Sequence, residues 1–201
     1  MGVLTAPVML AARRADVENL SRQARERMAR AGELRGPSLR VEITDRGHRE
    51  FQVGDLVIAR RNAYLDGLVN GQRGVVTHVD RETGTLTISA GQRQVTVPAS
   101  YLRSGALDYG YALTVHQAQG LTTDRTFLLG DSALYREIGY VGLSRAKHRA
   151  ELHLTDRPDQ LDDDQDSCQG ERQGPAGEVL DAAKRALTQS RAQRTAHELS
   201  R

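Results

Sequence analysis

At 201 residues, with 38% hydrophobic and 4% aromatic content and no tryptophan, the chain can bury one aliphatic core and a small second one. A single cysteine, Cys168, excludes an internal disulfide framework or thiolate metal site. No apolar run reaches the roughly 18 residues of a membrane span, and no charged-then-apolar leader is present, so the expected setting is the cytoplasm, without a membrane. A net charge of +2 excludes no class of partner, but the cations are nearly all arginine, with Lys147 and Lys184 as the two lysines; Arg suits bidentate phosphate contacts, and a GC-rich coding sequence raises it equally.

Val8–Ala12 follows Pro7 and reads as a strand, with Arg13 and Arg14 directly after it. Asp16 is placed to cap a helix whose Val17, Leu20, Ala24, Met28 and Ala31 fall at helical spacing, with Gly32 as terminator. Arg22, Arg25, Arg27 and Arg30 are expected on its outer face, a solvated surface or a phosphate-tracking patch. From Leu39 the pattern changes to short runs: Leu39–Ile43, Gly54–Ala59, Gly74–Val79, Thr85–Ile88 and Gln94–Pro98, separated by turn signals such as Asn70-Gly71, Thr83-Gly84 and Ala90-Gly91. Such spacing predicts a small barrel or curled sheet inserted into an α/β chain. After Ser104-Gly105, Tyr111–Gln119 reads as a helix stopping at Gly120, Thr126–Leu129 as a buried strand, and residues 133 to 147 as a helix with a Leu134, Ile138, Val141 stripe. Arg145 continues that stripe, so it either ends the helix at the rim of the core or faces an anion, because an unpaired buried charge is costly. Glu151–Leu154 reads as a strand, 161–171 as an acidic solvated linker, and Gly177–Ser200 as a terminal helix.

Several chemistries have no residues to run them. No Gly-x-x-x-x-Gly-Lys-[Ser/Thr] loop is present, no strand ends in an Asp-Glu pair for Mg²⁺, and no Gly-x-Ser-x-Gly elbow occurs. The histidines form no His-x-x-x-His pair, and no metal site is expected. What stands out is Tyr111–Gly120 and Tyr140–Arg149, which put amides, hydroxyls and guanidinium groups around the apolar Phe127-Leu128-Leu129. That kit suits phosphate or nucleotide recognition: Arg for charge, Thr and Ser for oxygens, Gly for close backbone approach.

Thr114-Val115-His116-Gln117-Ala118-Gln119-Gly120 resembles motif V of superfamily 1 helicases, and Tyr140-Val141-Gly142-Leu143-Ser144-Arg145-Ala146 resembles motif VI. The nearest likeness is to the UvrD-like C-terminal domain of the RecD-like and conjugative relaxase (MobF/TraA-type) helicases. The resemblance implies an α/β fold: a second RecA-like motor domain, a partial parallel sheet with flanking helices, carrying an inserted small SH3-like β-barrel. Its parts would be residues 1–38 as first strand and helix, 39–104 as the barrel, 105–156 as the remainder with motifs V and VI, 157–175 as linker and 176–201 as terminal helix.

The same resemblance assigns roles. Arg145 would be an arginine finger on a γ-phosphate, with Arg14 assisting and Arg13 competing for that alignment. Gln119, Gly120 and Thr122 would border the nucleotide, Thr114, His116 and Gln117 would lie toward single-stranded DNA, and Tyr140 and Ser144 would support motif VI. Relatives commonly carry Lys at the Gln117 position and an acid at Thr122, so two contacts differ here. ATP and Mg²⁺ would be bound only when a P-loop-containing half, in cis or in trans, completes the site. The implied function is therefore the C-terminal half of an ATP-dependent DNA helicase, silent in hydrolysis by itself. A non-hydrolytic DNA-binding or regulatory module, or a degenerate remnant, is the alternative.

Overall fold

The computed structural model describes residues 7–44, 47–131 and 134–155, together with residues 181, 184, 185, 187 and 188. In chain order the elements are β1 (Val8–Ala11), α1 (Arg14–Arg30), β2 (Ser38–Ile43), β3 (Gly47–Gln52), β4 (Leu56–Ala59), a 3₁₀ turn at Tyr64–Asp66, β5 (Arg73–Asp80), β6 (Thr85–Ala90) and β7 (Arg93–Val97). They continue with α2 (Ala99–Arg103), β8 (Leu107–Tyr109), β9 (Ala112–Thr114), β10 (Thr123–Gly130), α3 (Arg136–Leu143) and β11 (Ala146–Leu154). Among the described residues two compact units result, one of residues 17–112 and the other of residues 7–16 with those from 113 on. Among the described residues no helix is long and apolar enough to cross a membrane.

The second unit is built on a four-stranded sheet in the order β11-β10-β1-β9. β10 pairs in parallel with β1, setting Leu10 beside Leu128, and with β11, setting Phe127 beside Glu151. Val8, Leu10 and Leu128 are fully buried, as strands of a covered parallel sheet require. The helix expected over Tyr111–Gln119 is instead β9 followed by a run of turns. Tyr111 to Val115 are all buried, so the segment lacks the polar face of a surface helix and can sit inside a sheet. The helix expected over 133–147 is shorter: Tyr135 is extended, at φ −139° and ψ 170°, and helix α3 ends at Leu143. β11 starts at Ala146, five residues before the expected strand, because an edge strand paired on one side tolerates the exposed Lys147, His148 and Arg149. The linker predicted at 157–175 lies outside the described residues, as does most of the terminal helix, of which residues 181, 184, 185, 187 and 188 are helical.

Helix α1 begins at Arg14, which places Asp16 in the first turn, buried, rather than at the cap. It ends as expected at Gly32 (φ 71°): Glu33 donates to the Met28 carbonyl at 3.0 Å and Gly32 to Ala29 at 3.0 Å, the paired bonds of a Schellman cap.

The first unit holds a five-stranded antiparallel sheet in the order β7-β6-β5-β4-β8 and a separate β2-β3 hairpin. Both contribute to one core of Val41, Phe51, Val57, Leu68, Val76, Leu86, Ile88, Val97 and Leu102. Three of the predicted turns fall where Gly71, Gly84 and Gly91 carry φ of 83°, 67° and 66°. The expected barrel does not close among the described residues. After β2, the Thr44 amide donates to the Arg103 carbonyl at the end of α2, so the chain there meets a short helix and not a strand of the five-stranded sheet. Arg25 also departs from expectation, because it turns away from the outer face of α1 and binds Asp55 with its Nε at 3.0 Å.

Candidate functional site

Motif V begins where β9 ends. Thr114 and Gln117 close a reciprocal pair: the Gln117 amide donates to the Thr114 hydroxyl oxygen and the Thr114 amide to the Gln117 Oε1, each at 3.2 Å. This is the Thr-x-x-Gln pattern of a capping box, here pinning a single helical turn. Ala118 donates to the Thr114 carbonyl at 3.1 Å, and Gln119 to His116 at 3.2 Å. Val115 and Ala118 are buried, whereas His116, Gln117, Gln119 and Gly120 face solvent. Gly120 then reverses the chain at φ 80°. The Val115 amide donates to the Ala11 carbonyl at 3.1 Å, which anchors the turn at the end of β1, just before Arg13 and Arg14.

Motif VI meets this turn through a missing side chain. A Cβ on Gly142 would stand 3.1 Å from Leu128 Cδ2 and 3.5 Å from Val115 Cγ2, so α3 lies close over β10 and the buried foot of motif V. The backbones meet again at the start of β10, where the Thr123 amide donates to the Arg145 carbonyl at 3.0 Å. Arg145 therefore sits in the tight turn between α3 and β11, beyond the helix. Its Nε donates to the Val141 carbonyl at 3.0 Å and its Nη2 to the Ser144 hydroxyl at 3.0 Å. Ser144 donates to the same Val141 carbonyl at 3.0 Å. Two of these donors share the Val141 carbonyl, an acceptor at the helix C-terminus, where a cation is also favoured by the dipole. Among the described residues Arg145 has no carboxylate in ion-pair range. Tyr140 supports this end through its backbone, accepting from the Ser144 amide at 3.0 Å, while its ring is 75% exposed.

At the end of β1 the two arginines separate. Arg13 Nε lies 3.4 Å from Asp131 Oδ2, a carboxylate with 4% exposure, while Arg14 is exposed at the start of α1. Thr122 is exposed beside the buried Thr123, whose hydroxyl donates to the Arg125 carbonyl at 2.7 Å. The geometry thus links motif V, α3, Thr123 and Arg145: motif V touches the end of β1 near Arg13 and Asp131, whereas Thr123 and Arg145 lie at the opposite, starting end of β10. Sequence reasoning missed Asp131, Thr123 and the Gly142 contact. Thr114-x-x-Gln117 was a legible capping signal, and Asp131 carried none. No three His, Cys, Asp or Glu side chains cluster as a metal ligand set among the described residues.

Residues 109–152 match the family model of the UvrD-like helicase C-terminal domain. The chain is 36% identical over 149 residues to the conjugal transfer protein TraA of Rhizobium radiobacter, an alignment covering 73% of this chain and 13% of that protein. It is 34% identical over 150 residues to a probable TraA of Sinorhizobium fredii, covering 72% and 13%. The chain thus spans about an eighth of the length of these relatives. Among solved structures, a Pif1 helicase from Bacteroides in complex with ADP-AlF3 and ssDNA superposes with a TM-score of 0.55 at 20% identity, covering 76% of this chain and 41% of that one. Bacteroides Pif1 bound to ssDNA gives 0.53 at 19% identity, covering 76% and 42%. At such identities the likeness establishes the fold: an α/β domain with a parallel sheet resembling the RecA-like domain of a helicase.

Proposed function

We propose that this chain, whose residues 109–152 match the UvrD-like helicase C-terminal domain, is the C-terminal motor half of an ATP-dependent superfamily 1 DNA helicase of the conjugal-transfer kind. In this reading it supplies an arginine finger and part of a single-stranded DNA track. The supporting observation is the state of Arg145. Its guanidinium rests on a backbone carbonyl and a hydroxyl, both neutral, and is bound to no carboxylate among the described residues. An incoming γ-phosphate can replace those neutral partners with a stronger, charge-assisted bidentate contact. In phosphoryl transfer that contact stabilises the charge that spreads over the equatorial oxygens.

The neighbouring residues take lesser roles. Gln119, Gly120 and Thr122 form the exposed rim of motif V that would border the nucleotide, and Thr114, His116 and Gln117 would lie toward DNA. Arg14, the assisting arginine by resemblance, is exposed at the end of β1, at the opposite end of the parallel strands from Arg145. Metal ligands and a phosphate cradle would come from a P-loop-containing half, in cis or in trans, since no P-loop occurs in these 201 residues. Positioning and metal electrostatics supply most of phosphoryl-transfer catalysis, so this unit completes a site it does not build.

The experiment is DNA-stimulated ATP hydrolysis by the 201-residue chain alone, by a P-loop half alone, and by the two together. Turnover is expected only in the mixture or the joined chain, and Arg145→Ala should lower kcat by about 10³ to 10⁵. Because the guanidinium's hydrogen bonds, among the described residues, all fall at the end of its own helix, the variant should keep native circular dichroism. Robust turnover by the lone chain, or a variant as active as the parent, would sink the proposal.

A further inference from the structure

The connection between β4 and β5, residues 60–72, is the most exposed apolar feature of the described chain and is also stiff. Ala63 and Leu68 exchange backbone hydrogen bonds at 2.9 and 3.0 Å. Gly67, at φ 74°, donates to the Tyr64 carbonyl at 3.1 Å. The Asn62 side chain accepts from the Asn70 amide at 2.7 Å, and the Gln72 side chain from the Val69 amide at 2.8 Å. At the base, the Tyr101 hydroxyl donates to the Arg61 carbonyl at 2.7 Å, and Leu68 is fully buried in the core. The rigid turn lifts two side chains clear of the surface: Tyr64 is 74% exposed and Leu65 is fully exposed.

We propose that this turn is a base-stacking tip for single-stranded nucleic acid, with the Tyr64 ring as the platform. The proposal rests on the reading above that the chain tracks single-stranded DNA. An aromatic ring on a stiff support beside uncommitted cations is the unit from which such tracks are built. Arg61 precedes the tip, and its side chain is exposed and joins no ion pair among the described residues. The turn also leans on β7: a Cβ on Gly67 would stand 3.9 Å from Val95 Cγ1, and Arg93, equally exposed and unpaired among the described residues, opens that strand. Asp66 is the acid on the turn, while Arg60 is engaged by Asp108 at 3.4 Å. Size decides between a nucleic acid and a protein. A stable protein interface needs about 800 Å² from each side, far more than two protruding side chains offer, whereas one ring against one base is a complete contact.

The test uses the 201-residue chain and a fluorescein-labelled oligothymidylate, with affinity read by anisotropy at low salt. Tyr64→Ala should weaken binding about tenfold or more, and Tyr64→Phe should keep it within about threefold because the ring survives. Arg61→Ala should reduce the salt slope by about one. An oligonucleotide carrying 5-iododeoxyuridine should photocross-link to Tyr64. Neither side chain enters a hydrogen bond or the core, so unchanged thermal unfolding would exclude a folding artefact. If the chain binds DNA and Tyr64→Ala binds equally well, the tip is overturned and the motor reading stands. If the parent chain binds no oligothymidylate, the tip and the DNA-track reading both fall. Should Leu65→Ala or Tyr64→Ala change the oligomeric state and leave DNA affinity untouched, the turn is a protein contact and the proposal is wrong.

Discussion

Arg25→Ala is the substitution whose cost can be worked most closely from the structure. Asp55 is fully buried, and Arg25 Nε reaches both of its oxygens at 3.0 Å. The Gln52 amide adds a bond at 2.7 Å and the Tyr111 hydroxyl another at 2.9 Å. The guanidinium also lies 5.3 Å from the Tyr109 ring centroid. Truncating Arg25 leaves the carboxylate buried without its cation, and breaking one side of such a pair costs about 3–5 kcal/mol. An exposed ion pair would cost under about 1 kcal/mol. The pH dependence has a definite sign. Burial holds the Asp55 carboxyl above its ordinary value even though the Gln52 amide, Arg25 and Tyr111 oppose the shift, and losing Arg25 raises it further. For a group raised in the folded state, its stabilising contribution is present below the unfolded value and lost as pH rises through the folded one. The deficit of Arg25→Ala should therefore be largest at neutral pH and shrink on acidification toward the carboxylate range, where Asp55 takes up a proton. Urea unfolding followed by far-UV circular dichroism, parent against variant across that range, measures it. A neutral-pH loss below about 1 kcal/mol, or a deficit that grows on acidification, would refute the argument.

Gly142→Ala sets a helix-propensity gain of about 1 kcal/mol against a methyl 3.1 Å from the fully buried Leu128; a net loss of stability is expected because Leu128 has little room to give, and a raised melting temperature would show that it does give. Thr114→Ala removes the hydroxyl that accepts the Gln117 amide. It should cost about 1 kcal/mol and speed hydrogen exchange at Gln117 and Ala118 first, whereas uniform loss of protection across β10 would point to a wider role.

Burial pattern governed what the sequence revealed. β2, β5, β6 and β7 alternate because one face of each meets a core, and β10 shows the same alternation around Leu128. β3 went unseen because Phe51 is its one buried side chain among GHREFQ, and a hairpin partner supplied the rest. β9 reads as part of a helix in the sequence because full burial on both faces erases the period-two signal from so short a segment. The five-residue α2 is too short to carry a periodicity at all. The position of Arg145 was legible from its motif. What it touches was not, since that depends on where α3 stops, and helix α3 stops four residues earlier than the pattern suggested.

The ion pairs of the parallel-sheet unit supply an argument the motifs alone do not contain. Between residues 7 and 155 this unit holds six arginines: 13, 14, 125, 136, 145 and 149. Arg13 is engaged by Asp131, Arg125 and Arg149 by Glu151, and Arg136 by Glu137. Arg14 and Arg145 are the two with no carboxylate partner among the described residues. A guanidinium already paired with an acid would have to break that pair before meeting a phosphate, losing much of what the new contact gains. A guanidinium parked on neutral acceptors keeps its charge available, and a fixed turn holds it in place without reorganisation at the moment of reaction. Arg145, the proposed finger, is in that state; Arg14 is likewise without a carboxylate partner among the described residues, but it follows β1 at the other end of the parallel strands.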